Sequence, residues 1–240
     1  MTPPLTSPQQ FKAVLQEKQV FNPKFTLFRF ELTQPHRLVF AAGQYVSIKI
    51  NDLGERRPYS ICSNPTTDHA FELLVDTSIG GKGCQFLQNL QLGQEIELLA
   101  PLGRFIVEPI KPTNPLIFVA TGSGIAPLRA MILDQLNTQQ NSQVITLHWG
   151  LHEINHLIWQ DEFQGLSRSY PNFSFHPVLS VSPPAWNLCR GRVTDCLEFH
   201  PLVETADYYL CGAKEMIADV SKILITRGVS ETKIHYEKFS

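Results

Sequence analysis

The feature that most constrains the fold is a change in sequence pattern near residue 112. Before it, six short strand-like runs are separated by Pro, Gly and Asn-Asp signals. After it, the apolar run PLIFVA is followed by a helix-like stretch, and further strand-like runs alternate with helical ones. Six short strands predict a closed antiparallel β-barrel, whereas the alternation predicts a doubly wound parallel sheet with helices on both faces. We therefore predict two domains, residues 1–110 and 111–240, separated by the proline-bearing segment EPIKPTNP.

The individual elements are predicted from periodicity. In the first half the strand-like runs lie at 11–21, 24–32, 43–50, 56–63, 70–78 and 95–103, whereas KGCQFLQNL at 82–90 has helical spacing. In the second half strands are predicted at 115–120, 143–150, 173–180, 207–213 and 233–239, with helices that include 127–137 and 214–228. The first half is thus predicted to be all-β apart from one short helix.

The composition is that of an ordinary globular protein. Hydrophobic residues make up 43% of the 240 residues and charged residues 18%, so a well-filled core is expected. A net charge of −2 gives no electrostatic basis for a nucleic-acid or anionic-membrane partner. The N-terminal MTPPLTSPQQ lacks the layout of a secretion signal, and no apolar run approaches the ~20 residues of a membrane span. A cytoplasmic protein is therefore expected.

The cysteines and histidines do not predict a metal site. The five cysteines include no C-x-x-C pair, so a zinc ribbon, a disulfide framework and an iron–sulfur cluster are all unsupported. His148, His152 and His156 are spaced four residues apart, but they straddle a strand end and a loop. No nearby carboxylate or thiol completes a ligand set around them, so no bound metal is expected.

The stretch RRPYS at 56–60 places three kinds of polar group close together. Strand alternation puts Arg57 and Tyr59 on one face, and Ser60 on the other face or at the strand end. Arg57 can offer a bidentate fork to a phosphate, worth about 1.5–3 kcal/mol when shielded from water. Tyr59 can stack on an aromatic cofactor. The alternative is a surface ion pair beside a core tyrosine.

The second half begins with a small-residue turn, TGSG at 121–124, between its first strand and first helix. Such a turn lets backbone N–H groups approach a pyrophosphate, and the helix N-terminus adds its positive dipole end. This placement favours a dinucleotide over a plain tight turn. Pro127 occupies the place of the usual third glycine, so the pattern departs from an ordinary dinucleotide fingerprint.

Five ordered motifs resemble the ferredoxin–NADP reductase superfamily. They are RPYS at 57–60, GGKGCQFL at 80–87, TGSGIAP at 121–127, LCGA at 210–213 and the terminal YEKFS. FAAGQYV at 40–46 is similar to the strand that precedes the flavin motif of that family. The resemblance covers nearly the whole chain from about residue 10.

The resemblance implies a bound FAD in the first domain. Arg57 would bind the pyrophosphate, Tyr59 would stack on the isoalloxazine, and Ser60 would hydrogen-bond near flavin N5. The helix after Gly81 would present its N-terminus to the pyrophosphate, although Cys84 stands where the family usually has serine. The full set implied to contact FAD is Arg57, Pro58, Tyr59, Ser60, Val75, Gly81, Lys82, Gly83, Cys84 and Phe239.

The resemblance also implies a nicotinamide dinucleotide in the second domain. The implied contacts are Thr121, Gly122, Ser123, Gly124, Ile125, Ala126, Pro127, Cys211 and Gly212. Ser60, Cys211 and Glu237 would frame the hydride path as catalytic residues. Without the resemblance, Cys211 is a buried strand thiol and Glu237 a solvated charge. Phe239 either shields the flavin or anchors the terminal strand as a hydrophobic plug.

The choice between NADH and NADPH depends on the loop after the strand FSFHPVLS. Relatives that prefer NADPH commonly place an arginine directly after the serine that matches Ser180, and here Val181 follows. Arg190 and Arg192 can either fold back onto a 2′-phosphate or belong to a solvated loop. The sequence therefore favours NADH weakly.

These features predict a monomeric FAD-dependent oxidoreductase. It would take hydride from NADH or NADPH and pass electrons to a separate acceptor such as a ferredoxin or an oxygenase component. A second hypothesis is a free-flavin reductase, for which flavin is a dissociating substrate. A third is a non-catalytic subunit that senses nucleotides or relays electrons.

Overall fold

The computed structural model of the chain describes residues 7–78, 80–108 and 112–239. Two segments of the sequence analysis lie partly outside the described residues. They are the N-terminal segment that lacks the layout of a secretion signal, at residues 1–6, and the predicted boundary segment, at residues 109–111. The chain divides into two compact units, Met1–Ile110 with Arg129–Gln139, and Lys111–Leu128 with Gln140–Ser240. The first unit thus takes in 129–139, which the sequence analysis assigned to the second domain.

The first unit is an antiparallel sheet of six strands that closes almost fully into a barrel. The strands are β1 (Gln9–Val20), β2 (Phe25–Gln34), β3 (Tyr45–Lys49), β4 (Arg56–Ser60), β5 (Ala70–Asp76) and β6 (Glu95–Leu102). They lie in the order β4-β3-β6-β1-β2-β5. Just beyond β4, Ile61 forms an antiparallel bridge to Leu73, and the Cys62 N–H donates to the Glu72 carbonyl at 2.9 Å. These contacts join the two edge strands, so the predicted barrel is confirmed.

Strand alternation decides which side chains fill this barrel. On β1, Phe11, Ala13 and Leu15 are buried, while the residues between them are exposed or half-exposed. Phe30 of β2 and Phe71 of β5 stack with ring centroids 5.3 Å apart. Each fully buried side chain of this size stabilises the fold by about 1.5–3 kcal/mol. Residues of alternating polarity therefore become strands because one face has a core to bury against.

The predicted short helix is α1 (Lys82–Asn89), which lies between β5 and β6. Its Leu87 is fully buried in the barrel core, and Gly83 is buried as well. The Cys84 and Phe86 side chains are partly buried against the same core. The helix is therefore fixed to the barrel by one side.

The second unit is a wholly parallel sheet of six strands. These are β7 (Leu116–Thr121), β8 (Ile145–Glu153), β9 (Phe173–Val181), β10 (Cys189–Arg190), β11 (Asp207–Gly212) and β12 (Ile234–Lys238). Their order is β10-β9-β8-β7-β11-β12. The chain starts at β7, builds outward to β10, and returns to place β11 on the other side of β7. The carboxyl ends of β7 and β11 therefore form a topological switch point, where α/β sheets bind ligands.

Helices cover both faces of this sheet, as predicted. They are α3 (Gln160–Ser169), α4 (Val193–Phe199) and α5 (Lys214–Thr226). A further helix, α2 (Ile125–Leu133), begins after β7, and its part from Arg129 onward belongs to the first unit, together with the π-helical turn over Asp134–Thr138 that continues it. On one face, Phe163 of α3 contacts Trp149 and Phe175, with ring centroids 6.1 and 5.0 Å apart. On the other face, residues of α4 and α5 pack with Val119 and Tyr208. Within the described ranges, no helix has the length and apolar character needed to cross a bilayer.

The edge strand β10 was not predicted, because the segment around it was interpreted as a loop. Cys189 and Arg190 pair in parallel with Val178 and Leu179 of β9. Two residues are too few to show a period, so only the tertiary pairing defines this strand.

Candidate active site

The RPYS motif lies on β4, at one end of the barrel's strand order. A Cβ built on Gly83 of α1 would lie 2.3 Å from the Tyr59 hydroxyl oxygen and 2.9 Å from Arg57 Cγ. Arg57 and Tyr59 therefore share one face, which α1 approaches closely, in agreement with strand alternation. Ser60 is only 8% exposed, and Pro58 is exposed.

The two consecutive arginines of β4 have different partners. Arg56 donates through Nη2 to the Ser47 carbonyl at 2.6 Å and through Nε to Ser47 Oγ at 3.3 Å. Arg57 Nη1 donates to the carbonyl of Arg56 at 2.8 Å, and no other acceptor contacts its guanidinium within the described residues. Four of its five N–H donors therefore stay available for an anion such as a phosphate.

Tyr59 is half-buried and packs against the barrel core. Burial raises the pKa of Tyr59 well above its usual range, and the nearby Cys84 adds to the increase. The phenol is therefore neutral at physiological pH. A neutral aromatic ring fixed on its inner side by a packed core is a suitable stacking surface for a planar heterocycle.

The N-terminus of α1 is open. Its N-cap, Gly81, is extended and has no side chain that could cap the first turn. Lys82 Nζ lies 3.0 Å from Glu55 Oε1, and the Cys84 thiol donates to the Asp76 carbonyl at 3.1 Å. Burial raises the pKa of Cys84, followed by the charge of Asp76, so this thiol stays protonated. Backbone N–H groups at this terminus can therefore bind an anion.

Val75 is 3% exposed and belongs to the barrel core, so its side chain has no free surface for a ligand. Its backbone is the part that a cofactor can contact. The open α1 terminus, the guanidinium donors of Arg57 and the supported ring of Tyr59 together fit a pyrophosphate joined to an aromatic ring system. These residues would hold FAD, and they are the part of the site that lies in the first unit.

In the second unit, the TGSG turn lies at the switch point between β7 and β11. A Cβ on Gly124 would lie 2.3 Å from the carbonyl oxygen of Cys211, and Gly212, at φ +139°, approaches Thr121 Oγ1 as closely. Thr121 Oγ1 accepts the N–H of Ala213 at 3.1 Å. The two segments are in such close contact that only glycine fits at positions 124 and 212. A glycine-lined turn at a switch point is where α/β sheets bind dinucleotides.

Pro127, which replaces the third glycine of the usual dinucleotide fingerprint, is compatible with a helix start. The 3-10 turn Gly122–Gly124 leads directly into α2, so Pro127 is the third residue of that helix. Amides of the first helical turn have no intrahelical acceptor, so proline costs no hydrogen bond there. Ile125, Ala126 and Pro127 are buried, and they anchor the helix start rather than expose side chains to a ligand.

Cys211, Glu237 and Phe239 meet at the carboxyl end of the sheet. Cys211 of β11 is paired in register with Glu237 of β12, and the Phe239 N–H donates to the Gly212 carbonyl at 3.1 Å. Cys211 is fully buried, and burial raises its pKa well above the usual range, with the charge of Glu237 adding to it. Cys211 is therefore a neutral thiol. The approach of Ser60 to this set stays a prediction, since Ser60 belongs to the other unit.

The guanidinium of Arg190 is already bonded to its own loop. It donates to Ser182 Oγ at 3.0 Å and to the Pro184 carbonyl at 3.1 Å, and it also bonds the Trp186 carbonyl. The sequence analysis left two possibilities for this residue, a phosphate clamp or a solvated loop. The structure shows a third role, in which Arg190 fixes the loop after β9.

Sequence reasoning missed Trp149, and it assigned Gly83 to FAD without its packing role. The Trp149 indole N–H donates to the Gly122 carbonyl at 3.0 Å and so fixes the dinucleotide turn. Gly83 was grouped with the helix N-terminus, but its main effect is the close packing on Arg57 and Tyr59. Trp149 lies near the end of the predicted strand 143–150, and strand ends in parallel sheets border ligand sites, so a sequence signal was available. In the structure β8 continues beyond it to Glu153.

Each unit matches a known family. Residues 12–106 match the oxidoreductase FAD-binding domain, and residues 118–222 match the oxidoreductase NAD-binding domain. The chain belongs to the ferredoxin–NADP reductase superfamily. The order of the two domains along this reductase-family chain is the order predicted from its motifs.

Individual relatives agree with this membership. The chain is 30% identical over 205 residues to the anthranilate 1,2-dioxygenase electron transfer component of Acinetobacter baylyi, covering 85% of this chain and 59% of that protein. It is 28% identical to ferredoxin–NADP reductase B of Sorangium cellulosum, covering 96% and 98%. The crystal structure of the Amycolatopsis cytochrome P450 reductase GcoB matches with a TM-score of 0.88 at 28% identity, covering 97% and 70%. The chain spans 59–66% of the length of the oxygenase reductase components it matches.

Proposed function

We propose that this protein is an FAD-dependent NAD(P)H reductase that passes electrons to a separate acceptor protein. The observation that carries the proposal is the presence, in one chain, of an anion-binding and ring-stacking site on the barrel and a glycine-lined dinucleotide turn at the switch point of the sheet. A flavin bound at the first site supplies two-electron acceptance from a nicotinamide and one-electron release.

The protein's own residues have positioning tasks in this reaction. Arg57 and the open terminus of α1 hold the pyrophosphate, and Tyr59 fixes the ring plane. The TGSG turn, fixed by Trp149, orients the nicotinamide dinucleotide. Ser60, Cys211 and Glu237 are assigned to the hydride path. Such orientation is worth several kcal/mol of the barrier, because the reacting atoms must be held close together.

We assign NADH as the preferred donor. Val181 follows Ser180 where NADPH-preferring relatives have an arginine, and the Arg190 guanidinium is engaged with Ser182, Pro184 and Trp186. A 2′-phosphate would have to compete with these bonds. The dianion would therefore gain little at this position.

The acceptor we propose is a ferredoxin or an oxygenase component. This assignment is supported by the names of relatives, one an electron transfer component of a dioxygenase and another a ferredoxin–NADP reductase. The cytoplasmic location and the monomeric state stay predictions from the sequence.

The test is an absorbance spectrum of the purified protein, followed by anaerobic titration with NADH and, separately, NADPH. We expect a yellow protein that is bleached by both, and faster by NADH. A colourless protein that turns over added riboflavin would make flavin a substrate instead of a cofactor. A yellow protein that neither coenzyme bleaches would contradict the reductase and leave the non-catalytic hypothesis.

A further inference from the structure

Outside the proposed redox site, the sheet unit contains a compact cluster of imidazoles and thiols. It comprises His148 of β8, His176 of β9, Cys189 of β10, Cys196 of α4 and His200, the residue that ends α4. None of the five belongs to the residues assigned to FAD or the nicotinamide. We name these five residues the His/Cys cluster.

Three residues of the cluster lie at distances that suit the ligands of one metal ion, and Cys189 approaches this group through His200. His148 Nδ1 lies 3.3 Å from Cys196 Sγ, and Cys189 Sγ lies 3.6 Å from His200 Nε2. The ligand atoms of His148, Cys196 and His200 all lie within 4.8 Å of one another. With Zn–S about 2.3 Å and Zn–N about 2.0–2.1 Å, a tetrahedral ion separates a sulfur from a nitrogen ligand by about 3.5 Å. The two measured S–N separations bracket this value.

The surroundings favour a soft or borderline metal over Mg²⁺ or Ca²⁺. Cys196 is fully buried, His148 is 2% exposed, and Cys189 and His200 are half-buried, which leaves an entry side. Nitrogen and sulfur donors select zinc-like ions, whereas hard cations require oxygen ligands. On metal binding the two thiols would lose their protons to solvent as two metal–sulfur bonds form. A divalent ion with two thiolates and two neutral imidazoles has no net charge, which suits a buried position.

His176 lies behind two of the candidate ligands and contacts both of them. Its ring stacks on His148 at a centroid distance of 4.9 Å and lies 4.1 Å from the His200 ring. It can therefore fix the orientation of both imidazoles. Mutation of an outer residue that orients a ligand typically changes metal affinity about 10–100-fold.

We propose that His148, Cys189, Cys196 and His200 form a binding site for one Zn²⁺ ion, with His176 as a positioning residue. The sequence analysis predicted no bound metal, because it considered only the evenly spaced His148, His152 and His156 as a ligand set. Of these, only His148 belongs to the cluster. The proposal does not depend on the reductase function.

The test uses the reduced full-length protein, stripped with a chelator and then supplied with Zn²⁺. Bound zinc is counted by elemental analysis, and Co²⁺ is substituted to report tetrahedral thiolate coordination by its absorption at longer wavelengths than oxidised flavin. We expect one zinc per chain and a rise in the thermal unfolding midpoint when zinc is added. Absence of stoichiometric zinc binding to the reduced protein would overturn the proposal.

Matched variants assign the ligands. Cys196→Ala and His200→Ala should each abolish stoichiometric zinc binding, whereas Cys62→Ala and His152→Ala should retain it. His200 is half-buried, so its variant should fold even if the buried Cys196→Ala does not. His176→Phe should bind zinc about 10–100-fold more weakly and keep the cobalt spectrum of a thiolate site. Equal zinc binding by His200→Ala and the wild type would refute the assignment.

Discussion

At the residue scale, neighbouring side chains of the same type have different tasks because a strand turns them to opposite faces. The Arg56 guanidinium bonds Ser47 on the neighbouring strand β3, whereas Arg57 keeps four N–H donors beside the open helix terminus. Neither charge is a typical surface ion pair. One arginine stabilises the strand pair, and the other is available to a ligand.

Arg57→Ala should weaken FAD binding about 10–150-fold, the equivalent of the 1.5–3 kcal/mol of a charge-assisted hydrogen bond. The dissociation constant is measured by flavin fluorescence during titration of the stripped protein. Arg56→Ala is the matched control and should keep wild-type affinity, since its donors are bonded to Ser47. Similar losses in both variants would contradict the phosphate role of Arg57.

Cys211→Ala should slow flavin reduction by NADH up to about 100-fold, because loss of a side chain beside the proposed hydride path permits misplacement of the nicotinamide. FAD content should be unchanged, since Cys211 lies in the sheet unit. Stopped-flow absorbance under anaerobic conditions measures the rate. An unaltered rate would mean that Cys211 is only a buried strand thiol.

At the scale of elements, both parts of the site depend on glycines where a helix or turn meets a strand. Gly83 brings α1 against β4, and Gly124 brings the turn after β7 against the end of β11. In both places the next heavy atom is closer than 3 Å to where a Cβ would lie. These contacts fix the positions of the helix and the turn. The positions of the groups that are proposed to bind the ligands depend on them.

Gly83→Ala should weaken FAD binding about 5–150-fold, because the new methyl displaces Tyr59 and Arg57 at a cost typical of overpacking, about 1–3 kcal/mol. Adding Tyr59→Phe removes the hydroxyl that lies 2.3 Å from the new methyl and should restore part of the FAD affinity lost. FAD affinity is the measurement for both. A Gly83→Ala variant that binds FAD normally would show that α1 is not fixed to the motif as described.

Gly124→Ala should lower the rate of reduction by NADH about 10–100-fold and destabilise the fold, since its methyl would collide with the Cys211 carbonyl. Gly165→Ala in α3 is the control, because its nearest neighbour is an Arg168 nitrogen at 3.9 Å. That control should be slightly stabilised by its higher helix propensity. Thermal unfolding and stopped-flow rates separate the two effects.

At the scale of the whole molecule, the chain combines two units with different construction rules. The barrel closes an antiparallel sheet on itself, and the second unit places its switch point at the carboxyl ends of β7 and β11. The residues of the proposed redox site therefore belong to two units.

The preference for NADH over NADPH can be tested only with the complete protein, because the flavin and the nicotinamide must both bind. Val181→Arg should raise the rate of reduction by NADPH relative to NADH, as measured by the ratio of the two rates. An unchanged ratio would place the 2′-phosphate elsewhere.

The features that depend only on neighbouring residues could be predicted from the amino-acid sequence. The six barrel strands, the parallel sheet, the shared face of Arg57 and Tyr59 and the TGSG turn all follow from a period of two, from apolar runs or from glycine chemistry, which are encoded within a few residues. The short α1 was predicted for the same reason.

Contacts between residues that are distant along the chain could not be predicted, because they depend on how the elements pack. His148 and Cys196 are 48 positions apart, and they meet because α4 packs on the face of β8 and β9 that carries the histidines. Trp149, Arg190 and the two-residue β10 likewise gain their roles from partners on other elements. The period of a sequence shows which face of an element a side chain occupies. Its contacts with other elements depend on how those elements pack together, and no local sequence pattern contains information about that packing.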